Sequence, residues 1–125
     1  MSGHRYLLDT NAVIALLQGN EKILRLLRSA RWIGISIMTY LEFLSYPAIK
    51  ENDKRCFNDL IQRIDIINLE KDENDLLDFI VALRQKFRIK MPDAIIAATA
   101  ITHKAILVTA DKQFGHIKPL RVQDF

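Results

Sequence analysis

The sequence predicts an α/β protein in which a parallel sheet of about five strands is sandwiched between helices. Short apolar runs that suit single strands recur along the 125 residues, and segments with helix-type apolar spacing separate them. The chain contains no repeat, linker or low-complexity stretch, and its three prolines stand apart. Strands that alternate with helices need crossover connections, which make the strands parallel and cover both faces of the sheet.

The first two units of this pattern each pair a short strand with an apolar helix. Residues 5–8 are an apolar run that ends at Asp9, and apolar residues at 13–17 then recur at helical spacing. Residues 32–35 predict a second strand, and a helix is expected from about 37 to 46. The surface of that second helix is apolar almost all round, so either its own domain or another chain is expected to cover it.

The later units repeat the arrangement. A strand is predicted over 64–69, and a helix over 73–87 is expected to have Asp72 as its cap. A further helix should begin near Pro92 and end before a strand at 105–109. The remaining predicted elements are helices over 21–30 and 49–62 and a fifth strand over 120–122.

Length and composition limit the class of protein. The length suits one domain, residues 1–125, and 50% hydrophobic with 26% charged residues is typical of a globular chain. No apolar run reaches the roughly 20 residues of a membrane span, and Asp9 and Asn11 interrupt the only candidate signal peptide, so we expect a cytoplasmic protein. The single cysteine, Cys56, excludes an internal disulfide. A net charge of +3 permits a nucleic-acid partner without establishing one.

Acidic residues recur at corresponding places in these units. Asp9 ends the first strand and Asp111 follows the strand at 105–109, so both should lie at the carboxyl edge of a parallel sheet. Asp93 opens the helix before that strand, and Glu42 lies in the helix after the second strand. Clustered carboxylates repel one another unless a cation lies among them, and oxygen ligands favour Mg²⁺ or Mn²⁺.

Each acid also has a purely structural explanation. Asp9 or Thr10 can cap the first helix, and Asp93 suits the positive end of a helix dipole. Glu42 follows Thr39 by three residues, which is a capping-box spacing, and Asp111 can make a turn. Four such coincidences at one edge of the sheet are less economical than one shared site. Two further polar residues, Asn11 and Thr109, are then expected to orient the carboxylates.

The segments that carry these residues resemble the four motifs of the PIN-domain ribonucleases. They are "LLDTN" at 7–11, "TYLEF" at 39–43, "PDAIIAATA" at 92–100 and "LVTADKQF" at 107–114. The short chain further resembles the VapC-type toxin of a VapBC toxin–antitoxin pair. The resemblance implies a PIN-like fold, cleavage of RNA, dimerisation and inhibition by an antitoxin protein. It also implies Mg²⁺ or Mn²⁺ held by the acids Asp9, Glu42, Asp93 and Asp111.

The four acids are expected to have different roles in this reaction. Asp9 and Asp93 are expected to be the principal metal ligands, and Glu42 a further ligand or the group that accepts a proton from water. Asp111 would serve a weaker second ion or act through water. Many relatives carry another acid two residues after Asp111, where this chain has Gln113, so the number of metal ions stays open.

Basic residues near the acids are candidates for binding the substrate. Lys86, Arg88 and Lys90 lead directly to Asp93 and are possible RNA contacts, although such runs more often form solvated helix faces. The same two readings apply to a second row on another helix, namely Arg25, Arg28 and Arg31.

Three other functions fit the sequence less well. A doubly wound phosphatase-like hydrolase would also end its first strand with an acid, but it usually has a second acid where Asn11 stands. A metal-independent ribonuclease would need a histidine pair, whereas His4, His103 and His116 lack any functional spacing and are expected at the surface or at helix ends. A catalytically silent RNA-binding or scaffold domain would have no reason to keep clustered charge.

Overall fold

Five parallel strands form the sheet of the computed structural model, which describes residues 3–125. The strands are β1 (Arg5–Leu8), β2 (Trp32–Ser36), β3 (Asp65–Ile67), β4 (Ile106–Val108) and β5 (Val122–Gln123). They lie in the order β3-β2-β1-β4-β5, so the first strand is at the centre. All four strand pairs are parallel, as the alternation of strands and helices predicted.

Six α-helices connect the strands within the described part of the chain. They are α1 (Thr10–Leu17), α2 (Glu21–Arg28), α3 (Ile37–Leu44), α4 (Glu51–Ile61), α5 (Asn74–Phe87) and α6 (Met91–Thr102). A short 3₁₀ helix, Lys112–His116, follows β4 and was not predicted. No helix within residues 3–125 is long and apolar enough to cross a membrane.

Helices cover both faces of the sheet, which confirms the predicted fold class. Leu7 of the central strand packs into a core with α5 and α6, while its neighbours Tyr6 and Leu8 pack into a second core with α1 to α4. Successive side chains of a strand point to opposite faces, so one central strand contributes to both cores. The ends of β1 and its neighbours therefore lie between two packed layers.

Helix α6 lies deep in the first core and fixes where its first turn stands. Seven consecutive residues, 94–100, are buried, and four of them are alanines. Small side chains let the helix approach the sheet and α5 closely. Because α6 leads into β4, its amino-terminal turn with Asp93 lies at the carboxyl edge of the sheet.

Two helices begin within one residue of their predicted starts, but their caps differ from the ones that the sequence indicated. Helix α5 begins after Glu73, which makes no side-chain cap, so Asp72 does not cap it. Glu73 instead accepts a hydrogen bond from the backbone of Glu70. Helix α3 begins after Ser36, whose hydroxyl caps the amide of Thr39, so the spacing between Thr39 and Glu42 is not a capping box.

Several element ends also differ from the predicted ones. The fifth strand is shifted to Val122–Gln123, and α3 ends at Leu44. Its own domain covers only part of the apolar stretch around α3, because Ile35 and Phe43 are buried while most other apolar side chains there are half-buried. Leu41 and Tyr46 are the large apolar side chains that stay about half exposed there, at 49% and 52%.

Candidate active site

Asp9 is the most firmly held acid at the carboxyl edge of the sheet. It follows β1 directly, is 7% exposed, and caps α1 by accepting a hydrogen bond from the amide of Thr10 at 2.8 Å on Oδ1. Its Oδ2 accepts hydrogen bonds from the Thr109 hydroxyl at 2.7 Å and from Asn11 Nδ2 at 3.2 Å. Burial raises the pKa of Asp9 above its ordinary value, and the charges of Glu42 and Asp111 add to the increase.

Thr109 and Asn11 connect the end of β1 to the loop that carries Asp111. The Thr109 hydroxyl donates to Asp9 and accepts from the backbone amide of Asp111 at 3.0 Å. Asn11 Oδ1 accepts from the amide of Ala110 at 3.0 Å. Both side chains therefore lie in the predicted position beside the carboxylates, where they hold two neighbouring strand ends together.

Glu42 reaches the same edge from α3. Its Oε1 accepts a hydrogen bond from the Thr10 hydroxyl at 2.8 Å, which is its only side-chain hydrogen bond to residues within 3–125. Glu42 is partly buried and its charge acts on both Asp9 and Asp93. The helix after β2 thus brings a third carboxylate to the end of β1.

Asp93 lies in the first turn of α6 and accepts the fewest hydrogen bonds of the four acids. Its carboxylate has no hydrogen-bond partner among the residues that the structure describes. Burial raises its pKa, and the negative charges of Asp111, Asp9 and Glu42 raise it further, while Lys90 opposes the shift. The four predicted acids are therefore close enough for each of the other three to act on Asp93.

Asp111 has a structural role as a helix cap and is also a candidate for the functional site. It caps the 3₁₀ helix, because its Oδ1 accepts a hydrogen bond from the amide of Gln113 at 2.9 Å. Asp9 likewise caps α1, so the structural explanations of these two acids hold without excluding a function. Gln113 takes part in this contact through its backbone amide.

The donor set fits a hard divalent ion. Every side chain that converges here offers oxygen, and none of the four acids forms an ion pair with residues 3–125. Within that range the side chains do not form a closed set of three or more Asp, Glu, His or Cys ligands. Mg²⁺ does not require such a set, because proteins usually bind it through one or two carboxylates and keep several of its waters.

The candidate substrate-binding cations divide between the two edges of the sheet. Lys86 is in the last turn of α5, Arg88 is its left-handed C-cap, and Lys90 is the N-cap of α6. All three are exposed beside the turn that leads to Asp93. In the second row, the amide of Arg31 bonds the carbonyl just before β1, which places that residue at the opposite, amino-terminal edge.

Two further residues lie at this edge that were not predicted from the sequence as part of the site. Thr10 contacts two acids, through its amide and its hydroxyl, but its position next to Asp9 indicated only a cap. Asp124 follows β5 and lines a cavity together with Thr109 and Asp111. The rule that located Asp9 and Asp111, an acid directly after a strand, would have found Asp124 had the fifth strand been placed correctly.

The histidines take no part in the acidic edge. His103 is the C-cap of α6, His116 ends the 3₁₀ helix, and His4 is exposed before β1. Their positions agree with the expected surface or helix ends.

A parallel α/β fold with acidic side chains gathered at the carboxyl ends of its strands defines the class of protein, and comparisons with known proteins identify the family. The family model described as PIN domain matches residues 6–119. No curated protein matches the chain significantly. This chain belongs to the PIN-domain family.

Solved structures with the same fold come from toxin–antitoxin complexes. One from Klebsiella pneumoniae is 32% identical, with a TM-score of 0.76 and coverage of 92% of this chain and 94% of the other. VapBC-1 from nontypeable Haemophilus influenzae is 26% identical, with a TM-score of 0.70 and coverage of 95% and 96%. VapBC2 from Rickettsia felis, bound to a DNA fragment from their promoter, shares the fold at 24% identity, with a TM-score of 0.80 and coverage of 96% and 98%. These findings confirm the resemblance to VapC-type toxins and make the chain a PIN nuclease of the toxin type.

Proposed function

We propose that this nuclease hydrolyses RNA with Mg²⁺ or Mn²⁺ and is inhibited by a cognate antitoxin. The observation that carries the proposal is the convergence of Asp9, Glu42, Asp93 and Asp111 without a compensating ion pair among residues 3–125. Holding like charges together lowers stability, and sites that keep such a cost are commonly functional. The whole chain, residues 1–125, acts as one domain in the cytoplasm.

The hydrogen bonds of the acids indicate how they share the ion. A carboxylate offers about four lone-pair sites, and three donors already occupy Asp9, so Asp9 contributes a fixed oxygen. No described residue donates a hydrogen bond to the Asp93 carboxylate, so its lone pairs are available. Asp93 is the second principal ligand in this proposal. A bound divalent ion supplies charge neutralisation for the phosphodiester and lowers the pKa of water.

The remaining acids complete the site in this proposal. Glu42 accepts a proton from the attacking water or contributes a further oxygen. Asp111, oriented by the amide of Gln113, is a ligand of a weaker second ion or acts through water. The exposed cations Lys86, Arg88 and Lys90 bind phosphates of the substrate next to Asp93.

An antitoxin is the expected protein partner, since the similar solved structures are toxin–antitoxin complexes. An open groove between α1, α3 and the start of α4 offers apolar surface for such a partner, with Leu17, Phe43, Tyr46 and Ile49 in its lining. The proposal also includes a homodimer, and the half-exposed Leu41 and Val81 are apolar surface available to a second copy. Sedimentation of the purified chain tests the dimer, and a monomer at high concentration contradicts it.

Incubation with total RNA tests the reaction. We expect cleavage with Mn²⁺ or Mg²⁺, none with EDTA, and none by Asp9→Asn or Asp93→Asn at equal protein concentration. A histidine-dependent ribonuclease would remain active in EDTA, and that result would overturn the metal-dependent reading. Cleavage at the wild-type rate by either variant would remove that residue from the mechanism.

The contribution of the cations is separable from that of the acids. Replacing Lys86, Arg88 and Lys90 with Glu should weaken RNA binding and make it less dependent on salt. The matched control reverses three other charges outside the α5–α6 turn, those of the exposed residues Arg25, Arg28 and Arg31. An equal loss in both variants would show a general charge effect instead of a site.

A further inference from the structure

Asp9 and Glu42 lie at the same edge but are held very differently. Asp9 accepts three hydrogen bonds, from Thr10, Asn11 and Thr109. Glu42 accepts one side-chain hydrogen bond within residues 3–125, from the hydroxyl of Thr10. A long, partly exposed glutamate with one contact depends on that contact for its orientation, since three rotatable bonds are otherwise free.

Thr10 is the one residue that contacts both carboxylates. Its amide donates to Asp9 Oδ1 at 2.8 Å, and its hydroxyl donates to Glu42 Oε1 at 2.8 Å. The amide belongs to the first residue of α1, so the backbone fixes its direction. The threonine side chain is branched at Cβ and has few rotamers, so the hydroxyl is also well directed.

We infer that Thr10 is a positioning residue for the cleavage reaction, because its hydroxyl fixes Glu42 relative to Asp9. The inference rests on the proposed function and adds a residue that does not itself contact the substrate. A hydroxyl has one hydrogen to donate, and here it points to the carboxylate. Without it, Glu42 can rotate into solvent, and the distance between two reacting groups is no longer set.

The same hydrogen bond could serve only to join α1 to α3, so the two roles must be separated. The helices are already joined by apolar packing, because Val13 of α1 and Phe43 of α3 are buried in one core cluster. Replacing the hydroxyl with a methyl group leaves that packing in place. Thr10→Val should therefore change the orientation of Glu42 much more than the stability of the fold.

The experiment compares Thr10→Val with Thr10→Ser, which keeps the hydroxyl. We expect Thr10→Val to lower kcat by about 10- to 100-fold, the usual effect of losing an outer partner of a metal site, with little change in KM. Thr10→Ser should recover most of the lost kcat. The matched control is Thr102→Val, an exposed threonine at the far end of α6, which should cleave RNA like the wild type.

A second measurement needs neither metal nor substrate. Urea unfolding of Thr10→Val, Glu42→Ala and the double variant should be non-additive, because both single changes remove the same hydrogen bond. Additive effects would mean that the hydrogen bond is not formed in solution, and they would overturn the inference.

The outcomes distinguish the inference from the proposed function. If Thr10→Val cleaves like the wild type while Asp93→Asn is inactive, the role of Thr10 is wrong and the metal-dependent site stands. If Thr10→Val and Thr10→Ser lose activity equally, the hydroxyl is not the cause and the inference is also wrong. If wild type and Asp93→Asn do not differ with Mn²⁺ present, the proposed function itself fails.

Discussion

Charged side chains have different surroundings at the carboxyl edge and the amino edge of the sheet. At the carboxyl edge, Asp9 and Asp93 have raised pKa values, and the charges of neighbouring acids contribute to both increases. At the amino edge, Arg5 lies 4.5 Å from the centre of the Trp32 ring and donates from Nε to the carbonyl of His103 at 2.8 Å. The Trp32 indole N–H donates to Asp65 Oδ2 at 2.6 Å.

The amino edge is organised for stability. Its cation lies over an aromatic face, its acid accepts a hydrogen bond, and the rings of Trp32 and His103 stack with an interplanar angle of 4°. The side chains come from three strands and the end of α6, so they tie these elements together. At the carboxyl edge, by contrast, no cation pairs with the four acids within residues 3–125, and the Asp93 carboxylate accepts no hydrogen bond there, which is why we assign the function to that edge.

The largest expected effect is that of Asp93→Asn. Cleavage should fall by more than about 100-fold, since loss of a mere outer partner already costs 10- to 100-fold. The fold should become more stable at neutral pH, because the variant removes one of four like charges. The gain should stay below about 1 kcal/mol, since solvent screens a partly exposed carboxylate.

The pH dependence of that gain follows from the sign of the pKa shift. The pKa of the Asp93 carboxyl is higher in the folded protein than in the unfolded chain, where it is near 3.8. Stability of the wild type therefore falls, relative to Asp93→Asn, as pH rises from 3.8 through the raised pKa. Urea unfolding at several pH values measures this difference, and a variant less stable than the wild type at neutral pH would contradict the comparison.

At the amino edge, the next largest effect is expected from Gly34→Ala. A Cβ on Gly34 would lie 2.3 Å and 2.6 Å from two carbons of the Trp32 ring, so the ring must leave its position over the strand. Overpacking of this kind typically costs about 1–3 kcal/mol. The matched control is Gly115→Ala, where the added Cβ meets no atom within 4 Å.

Two measurements follow the Gly34→Ala variant. Unfolding in urea gives the loss of stability, and fluorescence reports the environment of Trp32, the only tryptophan in the chain. We expect a shifted emission in Gly34→Ala and none in Gly115→Ala. Unchanged stability with unchanged emission would mean that the indole does not pack over Gly34.

The acidic edge was largely predictable from the sequence, whereas the amino edge was not. Acids directly after strands fall at one edge of any parallel sheet, so Asp9 and Asp111 could be placed together from strand ends alone. Arg5, Trp32 and His103 follow no such rule, because ring stacking and a cation over an aromatic face depend on side-chain directions. The hydrogen bond from Thr10 to Glu42 also depends on side-chain directions, so it could not be predicted from the sequence.

Element ends were predictable only where a local signal was unambiguous. Pro92 marked the start of α6, and Asp9 marked the boundary between β1 and α1. The predicted cap of α5 was wrong, because Asp72 precedes Glu73, whose side chain accepts a hydrogen bond from the Glu70 amide instead of capping the helix. The fifth strand has two residues, too few to show the alternation of a strand, so it was predicted at 120–122 instead of Val122–Gln123.

A smaller effect is expected from Thr39→Val, one turn before Glu42 in α3. The Thr39 hydroxyl is buried and has no hydrogen-bond partner within the described residues. Removing an unsatisfied buried hydroxyl should stabilise the fold by about 1 kcal/mol. The matched control is Thr99→Val, which should lose about 0.5–1 kcal/mol, because Thr99 is equally buried but donates to the carbonyl of Ile95 at 2.7 Å.

The two variants also test whether the cost at Thr39 belongs to the acidic edge. If Thr39→Val is more stable and cleaves RNA more slowly, the hydroxyl is kept for the reaction. If it is more stable with unchanged kcat, the cost is an accident of packing. Destabilisation equal to that of Thr99→Val would mean that the hydroxyl has a partner in solution.

The smallest expected effect is the pH response of His103. Burial lowers its pKa below the ordinary 6.5, Arg5 lowers it further, and Glu73 and Asp65 oppose the shift. The unfolded chain therefore binds the proton more readily, so stability falls as pH drops through 6.5 toward the folded pKa. His103→Phe keeps a ring for stacking on Trp32 and cannot titrate, so its stability should fall less between about pH 8 and about pH 5. The carbonyl that Arg5 contacts is backbone and remains in the variant, so parallel pH profiles of the two proteins would show that the amino edge does not respond to protonation.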